Sequence, residues 1–190
     1  MARMISAWTV SPEASDSSVA LALWRAYYTE VSDRWFQVHE GRDTPVDDLE
    51  REVVASNDHV TLAPPAGMLL VGRYGGAPAG TAGVHLLNGN GNGNGNGNGN
   101  AHGAAQAEPT ELAAELKRVF VLKEARGTGG GPALLTAAED AARALGAHIM
   151  LLDTRSDLTE AWSLYERNGY ERTVPHNHEP YAERWYRKRL

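Results

Sequence analysis

The chain has 190 residues, no cysteine and a formal net charge of −6. That length suits one domain that buries about 70% of its unfolded surface and needs no covalent staple. The lack of cysteine excludes disulfides, thiolate zinc sites, iron–sulfur clusters and a cysteine nucleophile, and the acidic balance speaks against a nucleic-acid partner, so any anion site must be a local basic patch.

The start, "MARMISAWTVSPEASDS", has no apolar run of signal-peptide length. The aliphatic runs "MLLV" and "IMLL" are too short to cross a bilayer. The expectation is a cytoplasmic protein with no membrane partner. A first strand is predicted over Met4–Val10. A helix follows from "SSVALALWRAYYTEVSDRWF", capped by Ser17 or Ser18, with Leu23, Tyr27 and Val31 at helical spacing. "TPVDDLEREVVAS" predicts a second helix, with Thr44 as its cap and Pro45 as its first residue. "GMLLVGR", a turn at "YGGAP" and "AGTAGVHLL" predict a hairpin.

The Asn-Gly repeat from Asn88 to Asn100 has no side chains to bury. It predicts a disordered loop at about 88–108 within a single domain over 1–190. "ELKRVFVL" then predicts a strand, Pro132–Leu145 a helix stopped by Gly146, and "HIMLLDT" a buried strand. "LTEAWSLYERNGY" predicts a helix closed by Gly169, with Tyr170 folding back, and "AERWYRKRL" a last strand. The order predicts an α+β fold, a mixed sheet with helices on its faces.

"ARGTGGGPALL" stands between a strand and a helix. Glycines there leave backbone N–H groups unscreened, and the helix start adds its own free N–H groups and dipole. Together they suit a phosphate or diphosphate, with Pro132 at a position that can do without an N–H. Lys117, Arg118, Lys123 and Arg126 outnumber Glu115 and Glu124 in this part of the chain. A glycine-rich connection without a ligand is the plain alternative. A P-loop needs Lys and then Ser or Thr after the last glycine, and Pro132-Ala133 stand there instead. A dinucleotide fold would set Asp153 on a ribose, but its third glycine falls on Pro132, and Lys123 to Arg126 separate the strand from the first glycine.

The spacing of Arg126, Gly129 and Gly131 fits R-x-x-G-x-G, and with "AELKRVFVLKEARGTGGGPALL" and "AWSLYERNGY" the chain resembles the GNAT superfamily of acyl-CoA N-acyltransferases. The resemblance covers most of the chain and is similar to small bacterial members. It implies a mostly antiparallel central sheet in a three-layer α/β/α arrangement, and an N-acetyltransferase that moves an acetyl group from acetyl-CoA to the primary amine of a small molecule or peptide. The cofactor's diphosphate would lie on the amides of Arg126, Gly127, Thr128, Gly129, Gly130 and Gly131, and its arm along Phe120 and Val121, where the central strand splays from "HIMLLDT". Where the family often carries Asn, this chain has Leu158, so a contact to that arm is either missing or taken by a neighbour such as Thr159.

Acetyl transfer to an amine needs a group that takes a proton, a donor aimed at the oxyanion and an acid for the departing sulfur. The resemblance implies Glu115 as the base, through water, and Tyr165 as the acid; the Val121 N–H would be the oxyanion donor. Each has a plain alternative: Glu115 as a strand-end carboxylate paired with a Lys or Arg, Tyr165 as a core aromatic beside Trp162. His85 is a second candidate base. His176 and His178 would face one side on a strand, as metal ligands can, but no third ligand is evident and the reaction needs no metal. The acids between Glu30 and Glu52 outnumber the bases, so an acidic funnel for a cationic amine such as a polyamine or aminoglycoside stands against a solvated helix face. Trp24, Tyr28 and Trp35 line an acceptor pocket or pack the core. A non-catalytic acyl-CoA-binding or sensing domain and a nicotinamide-dependent oxidoreductase are the rival functions. The oligomeric state is open, a homodimer included.

Overall fold

The protein was analysed as a computed structural model that describes residues 7–56, 58–87 and 111–190. The Asn-Gly loop expected at about 88–108 lies outside them. Among the described residues, seven strands form one sheet in the order β1-β2-β3-β4-β5-β7-β6. They are β1 (Trp8–Glu13), β2 (Gly67–Tyr74), β3 (Ala77–Leu86), β4 (Ala113–Val121), β5 (Ile149–Thr154), β6 (Glu171–Arg172) and β7 (Arg184–Arg189). Every neighbouring pair is antiparallel except β4 and β5. The expected mixed, mostly antiparallel sheet is therefore present, and this pattern is not that of a doubly wound dinucleotide fold.

β1 begins later than predicted and runs to Glu13; residues 4–6 of the predicted span lie outside the described ones. Pro12 is tolerated because β1 is an edge strand, where one missing N–H breaks no ladder. The first helix, α1 (Ser18–Glu40), starts at Ser17, whose side chain accepts from the Ala20 N–H. The second, α2 (Val46–Ala55), corrects the predicted cap. The Pro45 carbonyl accepts the Leu49 N–H at 3.1 Å, so Pro45 lies outside the helix. The Thr44 hydroxyl has no partner among the described residues, while the Thr44 N–H donates to Asp33 Oδ1 at 2.9 Å. A short α3 (Asp58–Thr61) was not legible in the sequence.

The helix after the glycines, α4 (Gly130–Ala144), also starts earlier than predicted. Gly129 is its cap and Pro132 its third residue, still among the positions whose N–H has no helical acceptor. α5 (Thr159–Arg167) ends as the sequence predicts: the Tyr170 N–H donates to the Tyr165 carbonyl at 3.1 Å, the Gly169 N–H to Glu166 at 3.2 Å, and Gly169 takes φ +83°.

The main core lies between the sheet and α4 with α5. Leu134, Leu135, Ala138 and Ala142 of α4 meet Leu70, Val84, Leu116, Met150 and Leu152. Gly72 and Gly80 let the helix come close, since a Cβ at either would stand 3.1 or 3.0 Å from a Leu134 methyl. A smaller cluster of Ala20, Trp24, Tyr28, Leu62 and Leu69 seats α1 on the opposite face. Trp24 is thereby a core residue.

Candidate active site

β4 and β5 pair only at Ala113↔Ile149, Ala114↔Met150 and Glu115↔Leu151, then part. The separation opens a cleft of about 860 Å³ between α1 and α5. Its wall takes Leu116 to Val119 from β4, Tyr27, Tyr28 and Trp35 from α1, Asp153 from β5, Leu158 just before α5, and Tyr165 from α5.

The amide row beyond β4 follows from local sequence. Lys123–Ala125 form one 3-10 turn, and the Arg126 N–H donates back to the Lys123 carbonyl at 3.4 Å. The Arg126 N–H is thus turned back on its own chain, unlike those of the five residues that follow. The amides of Gly127, Thr128, Gly129, Gly130 and Gly131 have no acceptor among the described residues. Gly127 and Gly129 take φ +76° and +95°, and a Cβ at either would meet nothing within 4 Å, so space stands open beside them. That open row of donors at a helix start fits a diphosphate.

Two aromatic and apolar contacts fix the row. The Trp8 ring would lie 2.3 Å from a Cβ at Gly130, and its Nε1–H donates to Thr128 Oγ1 at 2.9 Å. Leu164 of α5 would lie 3.0 Å from a Cβ at Gly131, which joins the glycine loop to the "LYERNGY" helix. The expected basic patch is not assembled. The Arg126 guanidinium donates to the Val121 carbonyl at 2.9 Å and pairs with Glu30 at 2.6 Å. Lys117 and Arg118 point into the cleft; of the four cations, Lys123 alone holds no ion pair among the described residues.

The Leu122 N–H goes to Ala79 on β3 at 2.8 Å. By strand alternation the Val121 N–H and C=O point to the other edge, towards the gap. Arg126 already uses that carbonyl; the N–H stays available. Phe120 is buried under Tyr27, ring centroids 5.9 Å apart, and its side chain does not line the cleft.

The Tyr165 side chain reaches the cleft from α5, is packed beside Tyr170 and Tyr186, and has no hydrogen-bond partner for its hydroxyl among the described residues. Burial pushes the phenol well above its ordinary 10, so it stays protonated across the neutral range. It is both the cleft residue and the core aromatic between which the sequence left a choice.

Glu115 is 3% exposed and does not line the cleft. His176 Nε2–H donates to its Oε1 at 2.9 Å and Asn177 Nδ2 at 2.7 Å, and Lys117 Nζ stands 3.3 Å from its Oε2. Burial alone would raise the carboxyl, but the His176 hydrogen bond and the Lys117 charge outweigh it and hold the pKa down to about 2. Asn177 also donates to Asp153 Oδ1 at 2.8 Å, and its own oxygen accepts from Trp185 Nε1 at 2.9 Å. This network pins the segment between β6 and β7 under the cleft. Burial would lower the Lys117 ammonium, yet Glu115, Asp153 and Glu179 override it and raise its pKa. His85, opposite Glu115 on β3, is a buried imidazole whose pKa is lowered chiefly by burial.

Glu115, Asp153 and His176 offer ligand atoms within 4.8 Å of one another. His178 is not in that group. Lys117 Nζ, 3.4 Å from Asp153 and 3.3 Å from Glu115, already supplies a positive charge there. The acids between Glu30 and Glu52, which the sequence leaves as either a funnel or a solvated helix face, are mostly engaged. Glu30, Asp33, Glu40, Asp43, Asp48 and Glu50 each hold a partner: Arg126, the Thr44 N–H, Arg42, Gln37, Arg51 and Arg25 in turn. The site residues that sequence reasoning passed over are Trp8, Asp58 and Asp153 in its present role; nothing in their local patterns signals partners so distant along the chain.

Three comparisons bear on this geometry. The chain is 40% identical over 75 residues to the N-acetyltransferase YhfO of Bacillus subtilis strain 168, a match covering 36% of this chain and 50% of that relative. Its fold is similar to an acetyltransferase of the GNAT family from Staphylococcus aureus Mu50, with TM-score 0.61 and 16% identity over 97% of this chain and 99% of that one. It is similar also to the PaiA N-acetyltransferase of Thermoplasma acidophilum, solved with coenzyme A, with TM-score 0.61 and 14% identity over 96% and 99% of the two chains. The profile of the acetyltransferase (GNAT) family matches residues 20–170, so the glycine loop, the parted strands and the "LYERNGY" helix are those of a chain that belongs to this family.

Proposed function

We propose that the protein is an N-acetyltransferase that uses acetyl-CoA and transfers its acetyl group to a primary amine by direct attack in a ternary complex. The observation that carries this is an open amide row one turn beyond the strand whose parting from β5 opens the cleft, with Leu164, the neighbour of the cleft residue Tyr165, packed against Gly131 of that row. Acetyl-CoA, when bound, supplies an activated thioester carbonyl. The amides of Gly127, Thr128, Gly129, Gly130 and Gly131 hold the diphosphate, and the main chain of β4 near Val121 takes the arm. The Val121 N–H donates to the carbonyl oxygen as it gains charge.

The new N–C bond forms as the C–S bond breaks. Tyr165 donates a hydrogen bond to the leaving sulfur; its raised pKa suits it to hold its proton until the thiolate, pKa about 8.5 by analogy with cysteine, is solvated. The amine's proton must also leave. A carboxylate of pKa about 2 is a poor proton acceptor, so Glu115 serves to anchor His176, Asn177 and Lys117 rather than as the base. Asp153 lines the cleft, and its Oδ2 has no partner among the described residues, so the proton passes through water to Asp153.

Tyr165→Phe tests the reading. Thiol release from acetyl-CoA is expected to fall about 10²-fold in kcat, with coenzyme A still stabilising the protein in a thermal-shift assay. The sequestered Glu115 favours a second reading, a non-catalytic acyl-CoA-binding domain. Coenzyme A binding with no thiol release from any amine would select it, and stabilisation by neither coenzyme A nor acetyl-CoA would sink both.

A further inference from the structure

Among the described residues, five cations line the cleft: Arg42, Arg51, Lys117, Arg118 and Arg155. Four of them are spent on the protein. Arg42 pairs with Glu40 and Arg51 with Asp48; Lys117 sits among three carboxylates; Arg155 grips Asp157 with two nitrogens and the Val31 carbonyl with the third. Arg118 differs. Its Nε–H donates to Asp58 Oδ2 at 2.7 Å, and neither of its two terminal nitrogens has a hydrogen-bond partner among the described residues. A guanidinium carries five N–H donors in a flat fork, so four remain unmet on a side chain only 22% exposed.

The fold holds that fork in one place. Thr81↔Phe120 and Gly83↔Lys117 pair, so Arg118 and Val119 together oppose Ala82 in a β-bulge. The bulge brings Lys117 and Arg118, sequence neighbours, to the same cleft. Arg118 takes φ +55°, the only positive φ of a non-glycine among the described residues, and Thr81 Oγ1 donates to its carbonyl at 2.9 Å. The guanidinium carbon lies 5.7 and 5.3 Å from the ring centres of Tyr27 and Tyr28, and the Tyr28 hydroxyl donates to the same Asp58 oxygen at 2.7 Å. A residue held at such a backbone position with its charge immobilised is of the kind that clusters at functional sites.

We propose that Arg118 is the acceptor's specificity residue and that the acceptor is an amine bearing a carboxylate, an amino-acid-type substrate rather than a polyamine or aminoglycoside. The terminal edge of the fork matches a carboxylate's two oxygens, an arrangement lysine cannot reproduce. Arg118 lies three residues before Val121 on β4, so the amine and the carboxylate can stand apart along one strand. The inference rests on the acetyltransferase reading.

The test keeps the two separable. Thiol release from acetyl-CoA is measured with α-, β-, γ- and ε-amino carboxylates, with the methyl ester of each, and with diamines of equal length. At least one free acid is expected to exceed its ester by about 30–100-fold in kcat/KM, the worth of a charge-assisted bidentate contact, with diamines below the ester. In Arg118→Gln that ratio is expected to fall to about 1, mainly through KM, and in Arg118→Lys to be restored only in part. The acid-to-ester ratio is internal to each variant, so partial unfolding of Arg118→Gln does not imitate the result. Equal use of acid and ester by the wild type, or an unchanged ratio in Arg118→Gln, overturns the clamp. If no amine is acetylated, calorimetric titration of the same acids and esters into the coenzyme A complex decides it: tighter binding of the acid, lost in Arg118→Gln, upholds the clamp while the enzyme reading fails, and equal binding or none overturns it.

Discussion

Against α4 the sheet presents leucine, alanine and glycine; against α1 and the cleft it presents His85, Glu115, Lys117 and Arg118. On the first face any residue of the right size and shape serves, because burial is non-directional. On the second, every buried polar atom needs a partner of complementary kind, and the partners come from the far ends of the chain: His176 and Asn177 reach Glu115 from 61 and 62 residues away. Stability is concentrated in one face and chemistry in the other, and the difference can be broken from either side.

The largest effect is expected at Leu134. It is fully buried and its two methyls fill the hollows left by Gly72 and Gly80. Leu134→Ala leaves a void whose glycine walls have no side chains to move in, so the loss should lie near the top of the usual range, about 3–5 kcal/mol. Urea unfolding measures it. Turnover per folded molecule should stay near wild type; a kcat that falls with stability would mean that the two faces are not separable.

Next comes Glu115. Its pKa falls from an ordinary 4.5 in the unfolded chain to about 2 in the folded one. A depressed carboxylate gives stability that is complete above the unfolded value and is lost as pH falls towards the folded one. The window is thus about pH 4.5 down to 2, the total is about 3 kcal/mol, and about 2 kcal/mol of it is gone by pH 3. Glu115→Gln should flatten the dependence of unfolding free energy on pH across that window. Parallel curves for the two proteins would show that Glu115 is not held as described.

The same contrast explains what the sequence disclosed. Helix stops at Gly146 and Gly169, the glycine loop and the placing of Tyr165 rest on local rules or on a contiguous motif, and these were legible. The bulge at Arg118 was not. Strict alternation would set Lys117 and Arg118 on opposite faces, and nothing in "ELKRVFVL" marks the extra residue. Glu115 was legible as a carboxylate opening a strand, but the sense of its pKa depends on His176, Asn177 and Lys117 meeting there, which only the assembled fold decides. The acids of α1 and α2 left two readings open for a like reason: composition counts charges but not their partners, and Glu30, Asp33 and Glu50 are already engaged.

The smallest effect probes the seam between the two faces. Glu30 holds Arg126 at 2.6 Å beside the amide row, with both side chains more than a third exposed. An exposed pair of this kind contributes at most about 1 kcal/mol, so Glu30→Gln should move the unfolding free energy by less than that. Its effect on binding has the opposite sign. With the carboxylate gone, the Arg126 guanidinium is free to turn from Glu30 to a diphosphate, and the local charge rises by one. Coenzyme A should bind about 2–3-fold more tightly at low salt, and the gain should fade near 0.5 M salt, where screening is short-ranged. Weaker binding in Glu30→Gln would mean that the Arg126–Glu30 pair shapes the amide row itself. Arg126 would then belong with Trp8 as a support of the loop, not as a reserve of positive charge.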